Sequence, residues 1–232
     1  MDLEARAIEP YLAEGDRVLD VGCANGHLAI RLASDKRVRV RGVDYVPEMI
    51  EHARSKLASL PDEVRARLDF DVGDITALDE PANAFDALVV VRVLINLGEW
   101  PRQAAAIEQC HRALRPGGLL LLSEATSQGW GRLNEFRREW GLSDIPVPPF
   151  NTYLDEERIL ATTATMFDLV RLDSFASTYY VATRVIKPLL DQALGGCVDV
   201  ADPDLHWNRW CAQLPAFGDY GTQKLFVLRK RG

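Results

Sequence analysis

Short apolar, β-branched runs alternate with helix-length segments through the first half of the chain, and few folds accept that rhythm. The runs lie at residues 17–21, 38–43, 68–72, 85–91 and 119–123. Strand, helix and strand in repetition predict an α/β domain, a doubly wound parallel sheet covered on both faces. The run Leu119-Leu120-Leu121-Leu122 does not alternate with polar residues, as expected of a strand buried on both sides. Helices are expected at 28–33, at 47–60 with Pro47 near the first turn, and at 102–114, closed by Pro116-Gly117-Gly118.

Beyond residue 125 the rhythm breaks. Residues 125–150 are rich in Gly, Pro, Trp and Arg, and read as an irregular insertion. A helix at 155–166 and strands at 168–175 and 224–229 follow, with a second long segment between those strands. The 232 residues are expected to form one domain, 1–232, with insertions 125–153 and 176–221 as a lid over an acceptor site.

A net charge of -7 opposes capture of a phosphate backbone, so nucleic acid is not an expected partner. No apolar run has the length of a membrane span, and the first residues lack a signal-peptide pattern. Cys23, Cys110, Cys197 and Cys211 form no metal-like cluster with the four histidines and suit reduced thiols. A cytoplasmic protein without a metal site is the expectation, and its oligomeric state is open.

The first strand runs into Asp20-Val21-Gly22-Cys23-Ala24-Asn25-Gly26, which places glycines between a buried strand and a helix start. Glycine lets a ligand approach the backbone, and the helix start offers free N–H groups. The second strand ends in Gly42-Val43-Asp44-Tyr45, where an acid can accept both hydroxyl hydrogens of an adenosine ribose.

In these residues the chain resembles the class I S-adenosyl-L-methionine (SAM)-dependent methyltransferase family. Gly22, Ala24 and Gly26 stand where that family has a G-x-G-x-G loop, with alanine at the middle position. The resemblance extends through Asp44, Gly73-Asp74-Ile75, the strand 85–91 and Leu114-Arg115-Pro116-Gly117-Gly118. It implies a Rossmann-like seven-stranded sheet, order 3-2-1-4-5-7-6 with the last strand antiparallel, SAM as cofactor and methyl transfer as activity. It also implies roles: Gly22 and Gly26 near the methionine moiety, Asp20 helping to hold its ammonium, Asp44 on the ribose and Tyr45 beside the adenosine. Asp74 would meet the adenine amine, Ile75 the ring, and Arg92 would close the pocket.

Each residue also has a structural reading. Asp44 suits the cap of the helix starting near Pro47, Asp74 a turn, Asp20 an anchor for the glycine loop, and His27 an early helix position. Methyl transfer needs a general base only if the acceptor arrives protonated. Glu124, after the fifth strand at the sheet's carboxyl edge, is the first candidate base, or else a structural acceptor; His206 is the second.

Trp130, Tyr153 and Tyr179, with Phe150, crowd the two insertions as acceptor walls or as a satellite core. Asn134, Arg137 and Asn151 add polar groups, although Arg137 also suits a solvated helix face. The acceptor expected is a small molecule such as a sugar, an amine or a specialised metabolite, methylated on O or N. A nicotinamide-dependent oxidoreductase or epimerase shares the sheet, but its G-x-G-x-x-G fingerprint is missing, since His27 follows Gly26. A catalytically silent SAM-binding subunit is the other alternative.

Overall fold

The computed structural model describes residues 2–196 and 206–232. In chain order the elements are α1 (Asp2–Ile8), β1 (Arg17–Val21), α2 (His27–Asp35), β2 (Arg39–Asp44), α3 (Pro47–Leu57), α4 (Asp62–Arg65), β3 (Leu68–Val72) and β4 (Phe85–Val91). Then come α5 (Trp100–Ala113), β5 (Leu114–Ala125), α6 (Ser127–Glu139), α7 (Glu156–Thr163), β6 (Phe167–Asp173), α8 (Ser177–Val181), α9 (Lys187–Ala193), α10 (His206–Cys211) and β7 (Gln223–Lys230).

The strands form one seven-stranded sheet in the order β3-β2-β1-β4-β5-β7-β6. The pairs β1·β2, β2·β3, β1·β4 and β4·β5 are parallel, and β7 runs antiparallel to both β5 and β6. Parallel register brings Asp20 level with Gly42 and Val21 level with Val43, so β1 and β2 end together. Between those ends and the end of β4 the strand order reverses direction, where open α/β sheets leave a crevice for ligands.

Each face of the sheet buries its own apolar layer. On one side α1, α2 and α3 bring Ile8, Leu28, Leu32, Ile50 and Ala53 against Val18, Val40, Phe70, Val89 and Leu121. Opposite, Ala106, Ile107 and Cys110 of α5 and Ile159 of α7 cover Leu19, Val21, Leu88, Leu120 and Leu122. Successive leucines of β5 thus enter different layers, which is why the run does not alternate.

The described parts of the insertions hold more helix than expected from sequence. Residues 127–139, read as irregular, form α6, capped by the Thr126 hydroxyl, which accepts from Gly129 N–H at 3.1 Å. Glycines lower helix propensity, yet Gly129 is required here: a Cβ on it would lie 2.4 Å from the Gly221 carbonyl oxygen. Leu133, Leu142 and Val185 make a small third cluster with Phe136 and Tyr180 packed on it. Cys197 lies outside the described residues.

Candidate cofactor and acceptor site

A cavity of about 720 Å³ opens at the carboxyl ends of β1, β2 and β4. Its size falls within the range of small-molecule sites. The first turn beyond β1 is shaped by backbone. Gly22 has φ +75°, and a Cβ there would lie 2.3 Å from the Val93 side chain. Its N–H donates to Val43 O at 2.8 Å, as does that of Cys23 at 3.0 Å, which ties the turn to β2. Ala24 also takes a left-handed conformation, φ 48°, so alanine performs a turn for which glycine is the easier residue.

Asp44 organises this turn from the neighbouring strand. Its Oδ2 accepts from Ala24 N–H at 2.8 Å and its Oδ1 from Val46 N–H at 2.9 Å. Asp44 is not the cap of α3, whose N-cap is Val46 without a side-chain cap bond; holding the turn and holding a ligand are compatible, because each carboxylate oxygen has more than one acceptor direction. Asp74 accepts from both the amide and the hydroxyl of Thr76, at 2.8 and 2.7 Å, and also lines the cavity.

Asp20 is the exceptional group. It lines the cavity, its carboxyl is buried, and its Oδ2 has no hydrogen-bond partner among the described residues. Burial, and secondarily the charge of Asp44, push its pKa up to about 7. A buried acceptor left open is costly unless a donor arrives. An ammonium supplies the right charge and the right hydrogens, so the residues present fit the amino acid end of SAM. Of the other expected cofactor residues, Gly22, Tyr45, Ile75 and Arg92 also line the cavity. Gly26 does not: it starts α2 with φ +73° and packs against Phe70, where a Cβ would come within 2.8 Å.

Most of the residues expected for acceptor binding and catalysis lie away from the cavity lining. Glu124 is fully buried and outside the cavity lining. Its Oε1 accepts from Val93 and Leu94 N–H, both at 2.8 Å, and its Oε2 is 3.5 Å from Ile95 N. Burial raises its pKa to about 8, against the lowering effect of those amides. The carboxyl holds the loop after β4, with its oxygens turned to backbone amides rather than to the cavity. His206 is exposed at the start of α10, away from the lining.

Trp130, Asn134 and Arg137 of α6 are likewise spent elsewhere. The Trp130 indole and the Asn134 amide donate to Ile145 O at 2.8 and 3.1 Å, and Arg137 Nε donates to Ser143 O at 2.8 Å. They clip residues 143–145 to the helix, and none reaches the cavity. Tyr153 packs against the larger apolar layer, and Tyr179 stacks edge-on with Tyr180. From the first insertion it is Phe150 and Asn151 that line the cavity, and no described residue of the second does so. Val93, Ile95, Asn96, Leu97 and Arg102 complete that side, together with Glu4 of α1. Asn96-Leu97-Gly98 was readable as a turn; nothing in the sequence tied Arg102 or Glu4 to the site.

Residues 18–118 match the family model described as a methyltransferase domain. The chain is 37% identical over 113 residues to 27-O-demethylrifamycin SV methyltransferase of Amycolatopsis mediterranei, covering 49% of this chain and 40% of that protein. It is 31% identical over 160 residues to carboxy-S-adenosyl-L-methionine synthase of Chromohalobacter salexigens, covering 63% and 57%. Among solved structures, magnesium protoporphyrin IX methyltransferase from Synechocystis PCC 6803, with bound SAH, superposes with TM-score 0.64. That match has 17% identity and covers 100% of this chain and 83% of the other, a likeness of fold. In the matched methyltransferase domain and in its sheet order the chain is similar to the class I SAM-dependent methyltransferase family. It spans about half the length of the curated relatives it matches.

Proposed function

We propose that the chain is a SAM-dependent methyltransferase, one domain over its 232 residues, acting on an O or N atom of a small molecule. The observation that carries the reading is the open Oδ2 of buried Asp20, in one cavity with Asp44 and Asp74. Together they offer acceptors for an ammonium, for ribose hydroxyls and for an exocyclic amine.

When bound, the sulfonium supplies an electrophilic methyl group. Asp20 holds the ammonium, Asp44 the ribose, and Asp74 with Ile75 the adenine, while the Gly22 turn leaves room for the chain between them. Val93 and Ile95, fixed by Glu124, present an apolar wall beyond β4 that keeps water from the transfer. Alignment and water exclusion can supply most of the acceleration of such a displacement, so no base on this chain is required when the acceptor arrives deprotonated. An acidic chain, in which no described helix is long and apolar enough to cross a membrane, suits a small metabolite as acceptor.

Titration calorimetry tests the cofactor, with S-adenosylhomocysteine (SAH) and SAM expected to bind and NAD not. Transfer of a labelled methyl group to candidate acceptors tests the reaction. NAD binding, or no SAM binding, would overturn the reading.

A further inference from the structure

The two halves of the cavity differ in charge. The half between β1, β2 and β3 carries Asp20, Asp44 and Asp74 and suits a cation-bearing nucleoside. The half beyond β4 carries two guanidinium groups, Arg92 from the strand's end and Arg102 from the first turn of α5. Neither side chain makes a hydrogen bond or ion pair with a described residue, whereas Arg31, Arg41, Arg54, Arg112, Arg115 and Arg132 all do. Arg92 feels the charges of Glu4 and Glu124 without bonding to either, so in a chain of net charge -7 two guanidinium groups whose donors no described residue takes up invite an anion at this mouth. Glu4 is the one carboxylate lining this half, so cations exceed anions there.

The backbone of Arg92 gives a second, independent sign. Its φ is 58°, a left-handed conformation unusual for a long side chain. Two hydrogen bonds hold it: Arg92 N–H donates to Ser123 O at 2.9 Å, and the Asn96 side chain donates to Arg92 O at 2.8 Å. The Asn96 carbonyl oxygen in turn accepts from Asn151 Nδ2 at 2.8 Å, which brings Phe150 to the same mouth. Strained backbone retained at a ligand cavity by such a chain of bonds aims a side chain. Phe150 is 75% exposed and turns an unpaired aromatic face to that space.

We propose that the methyl acceptor carries an anionic group, a carboxylate or a phosphate, held by Arg92 and Arg102, with its flat or apolar remainder against Phe150. Paired guanidinium donors match the planar oxygens of either anion. The proposal rests on the cofactor reading above, which assigns the opposite half of the cavity to SAM.

The test is competition binding of matched probes, 3-phenylpropanoate against 3-phenylpropanamide and phenyl phosphate against phenol, with and without saturating SAH. Each anion is expected to bind about tenfold tighter than its neutral partner, the effect of one charged hydrogen bond. In Arg102→Gln, which disturbs no described contact, the preference should collapse while SAH affinity stays within about twofold. Preference for only one anion identifies the group. Equal binding of anion and neutral partner, or a preference that survives Arg102→Gln and Arg92→Gln together, would overturn the proposal. SAH that fails to bind refutes the cofactor reading instead, and the probes alone then decide the anion site.

Discussion

Asp44 Oδ2 accepts the Ala24 N–H at 2.8 Å, so the acid that ends β2 holds the turn that ends β1. The same carboxylate would serve the ribose, and the two duties can be separated by substitution. Asp44→Asn keeps one oxygen for the backbone and loses the charge; Asp44→Ala loses both. Each charged hydrogen bond lost should weaken SAM binding by about 1.5 to 3 kcal/mol, or tenfold and more. Calorimetry should find both variants weaker in SAM binding, and thermal melting should find Asp44→Ala the less stable of the two. Wild-type affinity in Asp44→Ala would remove the residue from the site.

Gly22 predicts a coupled loss. Alanine there is strained at φ +75°, and its Cβ would enter the space of Val93, whose N–H is pinned by Glu124. The backbone cost is about 1 kcal/mol, and the clash adds to it because the Val93 loop has little freedom to retreat. Gly22→Ala should bind SAH at least about tenfold more weakly, with a lowered melting temperature. Unchanged binding by calorimetry would mean that the turn tolerates a side chain and does not cradle the cofactor.

Glu124 gives opposite expectations for a base and for a clip. Glu124→Gln preserves the oxygen that serves Val93 and Leu94, so its stability should stay within about 1 kcal/mol of wild type. Glu124→Ala strands two buried N–H groups and should cost at least about 2 kcal/mol, with weaker SAH binding as the loop relaxes. Denaturant unfolding of the pair decides. Once an acceptor is found, a fall of about 10² or more in kcat for Glu124→Gln would show it to be a base.

The central sheet was legible because its cause is local. Strands expected at 17–21, 68–72 and 85–91 have those bounds: Gly22 and Gly73 close the first two, and the third is a nearly unbroken apolar run that ends at Arg92. The strand expected at 119–123 extends from Leu114 to Ala125, because Leu114 pairs with Phe85 across the Pro-Gly-Gly turn and β7 pairs with its far end. The cofactor half of the site was legible for the same reason: its residues sit at strand ends fixed by the sheet. The acceptor half was not. Trp130, Asn134 and Arg137 share α6 and resemble a site in sequence, but the helix turns them toward residues 143–145. Arg102 reaches the cavity only through the angle at which α5 leaves the β4 loop, and that angle is a matter of packing.

Asp20 carries the last prediction, a pH dependence of both folding and binding. Its pKa is raised from the ordinary 3.8 to about 7, burial being the larger cause and Asp44 the smaller. Glu124 is raised in the same sense, from 4.5 to about 8, by burial. At these two sites the folded chain holds more protons than the unfolded chain between about pH 4 and pH 8. Their contribution to the unfolding free energy must then fall as pH rises through that window, by several kcal/mol, and level off above it. Asp20→Asn, an uncharged shape match, should remove part of the fall, and the remainder belongs to Glu124. Cofactor binding should show the reverse slope, because the ammonium needs Asp20 ionised. SAH affinity should rise by about tenfold per unit as pH approaches 7 from below, with proton release on binding, and flatten above it. Calorimetry in buffers of different ionisation enthalpy measures that release directly. An SAH affinity that is flat from pH 6 to pH 8, with no proton released, would place the ammonium elsewhere and leave the open oxygen of Asp20 without its partner.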